Sequence, residues 1–195
     1  MRVSAFAARS ACMLAGLSAG CAHTPQQKAL EDAAIVRQET TAPRLIERGD
    51  AAASIGDLTR AEQYYVTAIK AGGDERVLTQ KLLLVCVQDG RYPAAASYGE
   101  DYLRRHPDNT DIRYVVATIY IGLGELDRAR RALEQVVSEQ PSIAEAHYAL
   151  GTVLRSQGDS LLDADRELRE YIRLRPDGEY VEAARASLLK SVAVP

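Results

Sequence analysis

Histidines, clustered carboxylates and serines are the residues here whose types could do chemistry, and their spacing argues against it. His23, His106 and His147 include no i, i+4 pair of the kind that holds a zinc ion on one helix face. Asp159, Asp163, Asp165, Glu167 and Glu170 could serve as general acids and bases, but Arg166, Arg169 and Arg173 interleave with them at helical spacing. That is the pattern of an ion-paired, solvated helix face. The run Asp108-Asn109-Thr110-Asp111 lacks the glycine and distal glutamate of a calcium loop; Asp108 with Asp111 reads instead as a helix cap. Ser156 and Ser160 have no histidine nearby in sequence, and no phosphate loop, nucleophile elbow or dinucleotide fingerprint occurs. The expectation is a non-enzyme with no catalytic residues, no metal, no cofactor and no small-molecule substrate. A net charge of −3 also argues against a nucleic-acid surface, which needs a basic patch; Arg104-Arg105 and Arg130-Arg131 sit among acidic residues.

The cysteines point elsewhere. Arg2 and Arg9 precede the short apolar run Ala11 to Leu17, too brief for a bilayer span of about twenty residues and built like an export signal. Leu17-Ser18-Ala19-Gly20-Cys21 then resembles the bacterial lipoprotein signal, in which small residues precede a cysteine that is acylated and becomes the new N-terminus. Ser18 stands where that family usually has leucine. The resemblance implies a removed signal over 1–20 and a lipid (palmitate among its acyl chains) on Cys21. With Ala22, not aspartate, next, it implies for a Gram-negative source anchoring at the outer membrane, facing the periplasm. Cys12 would leave with the signal, so only Cys86 would remain free, as a small core residue.

Every such side chain must be placed by a repeated element. Gly56, Gly90, Gly124 and Gly158 recur at one constant interval; Ala61, Ala95 and Ala129 follow five later, Ala164 six later. Gly73, Pro107, Pro141 and Pro176 close each unit with a helix-stopping residue. A period of this size, about 34 residues, means one supersecondary unit copied along the chain. Each copy reads as two helices: Val115, Val116, Ile119, Tyr120 and Leu123 share one face, and Ala129, Leu133, Val136 and Val137 the next. Pro93 falls in a first helical turn, and Ser142-Ile143-Ala144-Glu145 reads as a capping box. The units are 42–75, 76–109, 110–143 and 144–178. Residues 21–41 form a lipid-attached tether or an N-terminal helix, and residues 179–195 a capping helix and tail, with Val181, Ala184, Leu188 and Leu189 facing the last repeat.

This pattern resembles the tetratricopeptide repeat. Unit four carries it through Ala146, His147, Tyr148, Ala149, Leu150, Gly151, Leu154, Gly158, Ala164, Leu168 and Pro176, with one extra residue near Leu161-Leu162 and with Tyr171 where a small residue is usual. Unit two departs most, Leu83 and Gly99 standing at positions usually small and large. The resemblance implies an all-α fold, a right-handed α-solenoid of four helix–turn–helix units with a C-terminal capping helix, and makes His147 a buried packing residue.

It also implies a peptide-binding groove lined by the first helix of each unit. The matching positions include Gln80, Leu84 and Val87, then Tyr114, Thr118 and Ile121, then Tyr148, Thr152 and Arg155. Such a groove is apolar and tyrosine-bearing; with Arg155 its chief cation it is no clamp for a terminal carboxylate. It suits an amphipathic helix or an extended apolar segment, with Tyr114 and Tyr148 as anchors. The implied role is a membrane-anchored adaptor for a protein of the cell envelope, resembling lipoproteins that pilot a pilus or secretion secretin. An accessory subunit regulating an envelope enzyme (a peptidoglycan synthase or protease) and a structural homo-oligomer are the alternatives.

Overall fold

A computed structural model describes residues 24–158 and 160–189. The expected signal over 1–20 and the lipidation residue Cys21 lie outside the described residues. The chain divides into two units, Met1–Arg37 and Gln38–Pro195. Most of α1 (Pro25–Glu39) belongs to the first. Its start is fixed by a reciprocal cap: Gln27 N–H donates to the Thr24 hydroxyl while Thr24 N–H donates to Gln27 Oε1, two backbone donors satisfied at once.

In the second unit the helices come in pairs. They are α2 (Ala42–Ser54) with α3 (Leu58–Lys70), α4 (Glu75–Gln88) with α5 (Tyr92–Arg105), α6 (Thr110–Leu123) with α7 (Leu126–Glu139), and α8 (Ala144–Gln157) with α9 (Leu161–Leu174); α10 (Val181–Ser187) closes the series. No strand occurs among the described residues, and the fold is an all-α solenoid. The constant glycine interval has one physical cause. Gly56, Gly90, Gly124 and Gly158 all take positive φ, at 80, 71, 74 and 79°. A Cβ there would meet nothing within 4 Å, so the requirement is conformational and not spatial.

From α2 onward each helix packs on its successor, and α4 also touches α6 and α6 touches α8. No comparable contact joins α5 to α7 or α7 to α9. The first helices are therefore the inner layer, and the stack curves towards them. Burial agrees: α8 buries Ala144, Ala146, His147, Ala149, Leu150, Gly151, Val153 and Leu154, whereas α7 buries only Ala129, Leu133 and Val136.

In three of the pairs, one crossing point couples a small residue to a large one. A Cβ on Gly49 would collide with the Tyr65 ring, and one on Gly151 would lie 2.8 Å from Leu168 Cγ. In unit two the sizes are exchanged. Leu83 is buried on the first helix, and Gly99 on the second leaves it room, Leu83 Cδ2 lying 3.5 Å from where a Gly99 Cβ would stand. The departure of unit two from the repeat pattern is thus a compensated swap.

Three sequence expectations are corrected. The cap of α6 is Asn109, whose side chain accepts from Ile112 N–H at 3.0 Å, not Asp108. Ile143 holds the N-cap position of α8 with no side-chain cap bond, so Ser142 opens no capping box. The last helix is shorter than expected. Val181 and Ala184 are buried against the array, but Leu189 is exposed and lies beyond the helix end.

Candidate functional site

The inner face holds the implied groove positions on α4, α6 and α8, and the structure separates them into two groups. Between α4 and α6 lies a cavity of about 400 Å³ lined by Gln80, Leu83, Leu84, Val87, Tyr92, Val115, Thr118 and Ile119. Leu84 is 57% exposed, and it is continuous with the apolar lining of the cavity; such a patch, not a lone exposed leucine, marks an interaction site. The Thr118 hydroxyl donates to Val115 O at 2.7 Å on its own helix, which leaves its methyl for the groove. Thr152, at the same place one unit on, is tied likewise to Ala149 O at 2.8 Å. Ile121 is half-buried one turn further along α6 and stands outside the cavity lining.

The second group is already occupied by the chain itself. Tyr148 stacks on Tyr180, centroids 4.6 Å apart and planes 11° from parallel, and lies 5.1 Å from the Tyr171 ring. Arg155 Nη1 donates to Ser187 O at the end of α10, a cation on the negative end of a helix. Tyr114 is half-buried beside Glu145 and Tyr180; burial first, then those two neighbours, push its hydroxyl pKa up. The C-terminal segment thus covers the unit-four share of the face. Tyr148 is a packing residue here, and Arg155 is spent on a backbone carbonyl.

At the other end, Asp50 Oδ1 accepts from both Tyr65 Oη and Lys81 Nζ, each at 2.7 Å. Burial opposes the Asp50 charge, but the hydrogen bonds from Lys81 and Tyr65 hold its carboxyl below the ordinary range. Burial and the Asp50 carboxylate push the Tyr65 hydroxyl up. The open part of the inner face, over units two and three, is therefore apolar and flanked by charges that already have partners.

Elsewhere the polar groups hold the array together. His147 is buried, with Nδ1 2.7 Å from Glu167 Oε2 and Nε2 3.0 Å from Pro141 O. Tyr171, oversized for its repeat position, accepts from Tyr180 N–H at 2.9 Å. Tyr102, at the same position in unit two, accepts from Asn109 Nδ2 at 3.1 Å. Each tyrosine reaches across an inter-unit turn to the start of the next helix. Cys86 is buried, and burial first, then Glu62, push its thiol up to about 11, so it is no nucleophile near neutral pH. Among the described residues no group of histidine, cysteine or carboxylate side chains is placed to hold a metal.

Sequence reasoning missed Leu83, Tyr92, Val115 and Ile119 as groove walls. Tyr92 opens a second helix, and its ring leans over Gly122, where a Cβ would lie 3.1 Å from Cε1. The bare glycine in α6 was its only trace in the sequence.

Stacked helix–turn–helix units with an inner apolar groove define the class of protein: an α-solenoid repeat scaffold. Two family models described as tetratricopeptide repeat match residues 46–110 and 87–153, and the chain carries tetratricopeptide repeats over this stretch. It is 34% identical over 95 residues to a tetratricopeptide repeat and J domain-containing co-chaperone, DNJ1, of Cryptococcus neoformans. That match takes in 48% of this chain and 18% of the relative, so the chain spans less than a fifth of the relative's length. Among solved structures it is similar to YrrB, described as a TPR protein with an unusual peptide-binding site (TM-score 0.65, 20% identity, 83% of this chain and 82% of that one). It is similar also to a tetratricopeptide repeat protein from Parabacteroides merdae (0.68, 21%, 75% and 58%) and to MamA from Desulfovibrio magneticus (0.62, 19%, 73% and 80%). At these identities the likeness is one of fold.

Proposed function

We propose that the protein is a membrane-tethered adaptor. It captures an uncharged, apolar segment of a cell-envelope protein in the groove between α4 and α6. The observation that carries this is the pairing of an open apolar cavity with an exposed Leu84, on a face where Asp50 and Lys81 pair with each other and Arg155 is held by the Ser187 carbonyl. The cavity lining carries no charged side chain, so an acidic or basic peptide would find no counter-charge in it, whereas apolar side chains gain about 25 cal/mol for each Å² removed from water. The peptide-binding site ascribed to YrrB supports peptide binding as the mode of action. The lipid on Cys21, implied by the residues before it, would hold the solenoid at the outer membrane with its groove in the periplasm. A secretin is the narrower reading of the client. The fold adds nothing for or against catalysis beyond its scaffold class, and adaptor action is the reading its groove supports.

One experiment tests both halves in cells of the source organism. Wild type, Leu84→Ser/Val87→Ser and Cys21→Ser are compared for labelling by a palmitate analogue, for membrane fractionation and for co-purified protein. The groove variant should stay labelled and helical but lose its client; the Cys21 variant should lose label and membrane association. Unchanged capture by the first variant defeats the groove, and equal labelling of the second removes the anchor.

A further inference from the structure

Arg113 and His147 stand one repeat apart and occupy the same position on the first helices of units three and four. Both are buried, and both make the same pair of bonds. Arg113 Nη2 donates to Pro107 O, and Nη1 donates to Glu139 Oε2 at 2.8 Å. His147 Nε2 meets Pro141 O at 3.0 Å and Nδ1 meets Glu167 Oε2 at 2.7 Å. Pro107 and Pro141 are separated by the same interval. A buried cation therefore staples each of these first helices to the proline turn before it and to a glutamate on its second helix.

The two staples differ in one respect. Guanidinium keeps its proton at any pH the protein meets. Imidazole satisfies two acceptors only as the imidazolium, because a neutral ring has one N–H. A carbonyl and a carboxylate both accept, so the geometry around His147 is that of the charged ring. We propose that His147 is a pH-released staple: protonated it locks unit four and its C-terminal cap onto the array, and on losing its proton it lets that end loosen while the Arg113 staple of unit three holds.

The surroundings favour the locked form. Burial alone would lower the His147 pKa, but the Glu167 and Pro141 bonds and the charge of Glu170 outweigh it and hold it above the ordinary histidine value. On α9 the facing groups are Glu167, Glu170 and Arg166, the last 3.1 Å from Glu167 Oε1. From α7, Arg130 and Glu134 line the same crevice as Glu167. Glu145 of α8 is engaged by Arg175, 3.1 Å away. Burial opposes the Glu167 charge as well, but His147 and Arg166 hold its carboxyl below the ordinary range. A histidine raised in the folded state gives its full stabilisation below its unfolded pKa and loses it as pH rises through the folded value. Glu167, depressed, gives its share above its unfolded pKa and loses it as pH falls through the folded one. The staple thus closes in the window between the two. It opens on the alkaline side, and Tyr148, next in sequence and stacked on Tyr180, carries the change to the cap.

The test is amide hydrogen exchange, corrected for intrinsic rates, on the whole chain from pH 6 to 9, with His147→Arg as the permanently charged comparison. In wild type the opening constants of α8, α9 and α10 should rise, tenfold for each pH unit by which the folded His147 pKa exceeds the unfolded one, while those of α4 and α5 stay level. His147→Arg should flatten that rise, and Arg113→His should transplant it to unit three. A rise of equal slope in wild type and His147→Arg overturns the proposal. Should the arginine variant fail to fold, ring ¹⁵N shifts decide. They should show His147 doubly protonated at pH 6.5 in wild type and titrating lower in Glu167→Gln; a neutral ring in wild type, or titration indifferent to Glu167, overturns it equally.

Discussion

Gly99 shows what one residue does in this array. A Cβ there would collide with Val116 Cγ2 of the next unit, so the bare glycine lets α5 and α6 close while making room for Leu83 within its own pair. Overpacking a filled core costs about 1–3 kcal/mol. Gly99→Ala should lose that much in chemical unfolding, and Val116→Ala in the same chain should recover part of it, because the colliding atom is then gone. Purely additive losses would show that the two residues do not meet. Nothing in the residue types announced this pairing. Leu83 and Gly99 each read as poor matches to the repeat, and only their contact shows that each excuses the other. The staples were more legible, since Arg113 and His147, like Pro107 and Pro141, keep the repeat interval in the bare sequence. What stayed hidden there was the glutamate partner, Glu139 in one unit and Glu167 in the other, which does not keep the interval.

At the scale of the helix, the glycine frame was readable because left-handed backbone is the one local state that a single residue type serves well. Gly124 ends α6 at φ 74° with open space around it. Gly124→Ala should therefore cost about 1–2 kcal/mol from backbone strain alone, with Gly124→Asn costing less, since asparagine tolerates that region. Urea midpoints check this; equal midpoints for the two variants would show a packing cause instead. Helix starts were less legible. Asp108, Asn109 and Thr110 can all cap, and it is Asn109 that does so; Ile143 opens α8 without a side-chain cap bond. The extent of α10 was also overread, because Leu188 and Leu189 continue an apolar pattern past Ser187, where the helix stops.

At the scale of the molecule, the inner face was legible as apolar and tyrosine-bearing, but not which part of it is open. Tyr148 and Tyr180, and Arg155 and Ser187, are far apart in sequence, and only the stacking of the units brings each pair together. That closure confines the open groove to units two and three, around Leu84, Val87 and Thr118. The central claim is that a partner docks there. A photo-crosslinking residue placed singly at Leu84, at Thr118, at Thr152 and at the outer-face Arg131, in intact cells, tests it most directly. The account predicts one crosslinked partner from Leu84 and Thr118 and little from Thr152 or Arg131. Crosslinks that arise from Arg131 and spare Leu84 would contradict it.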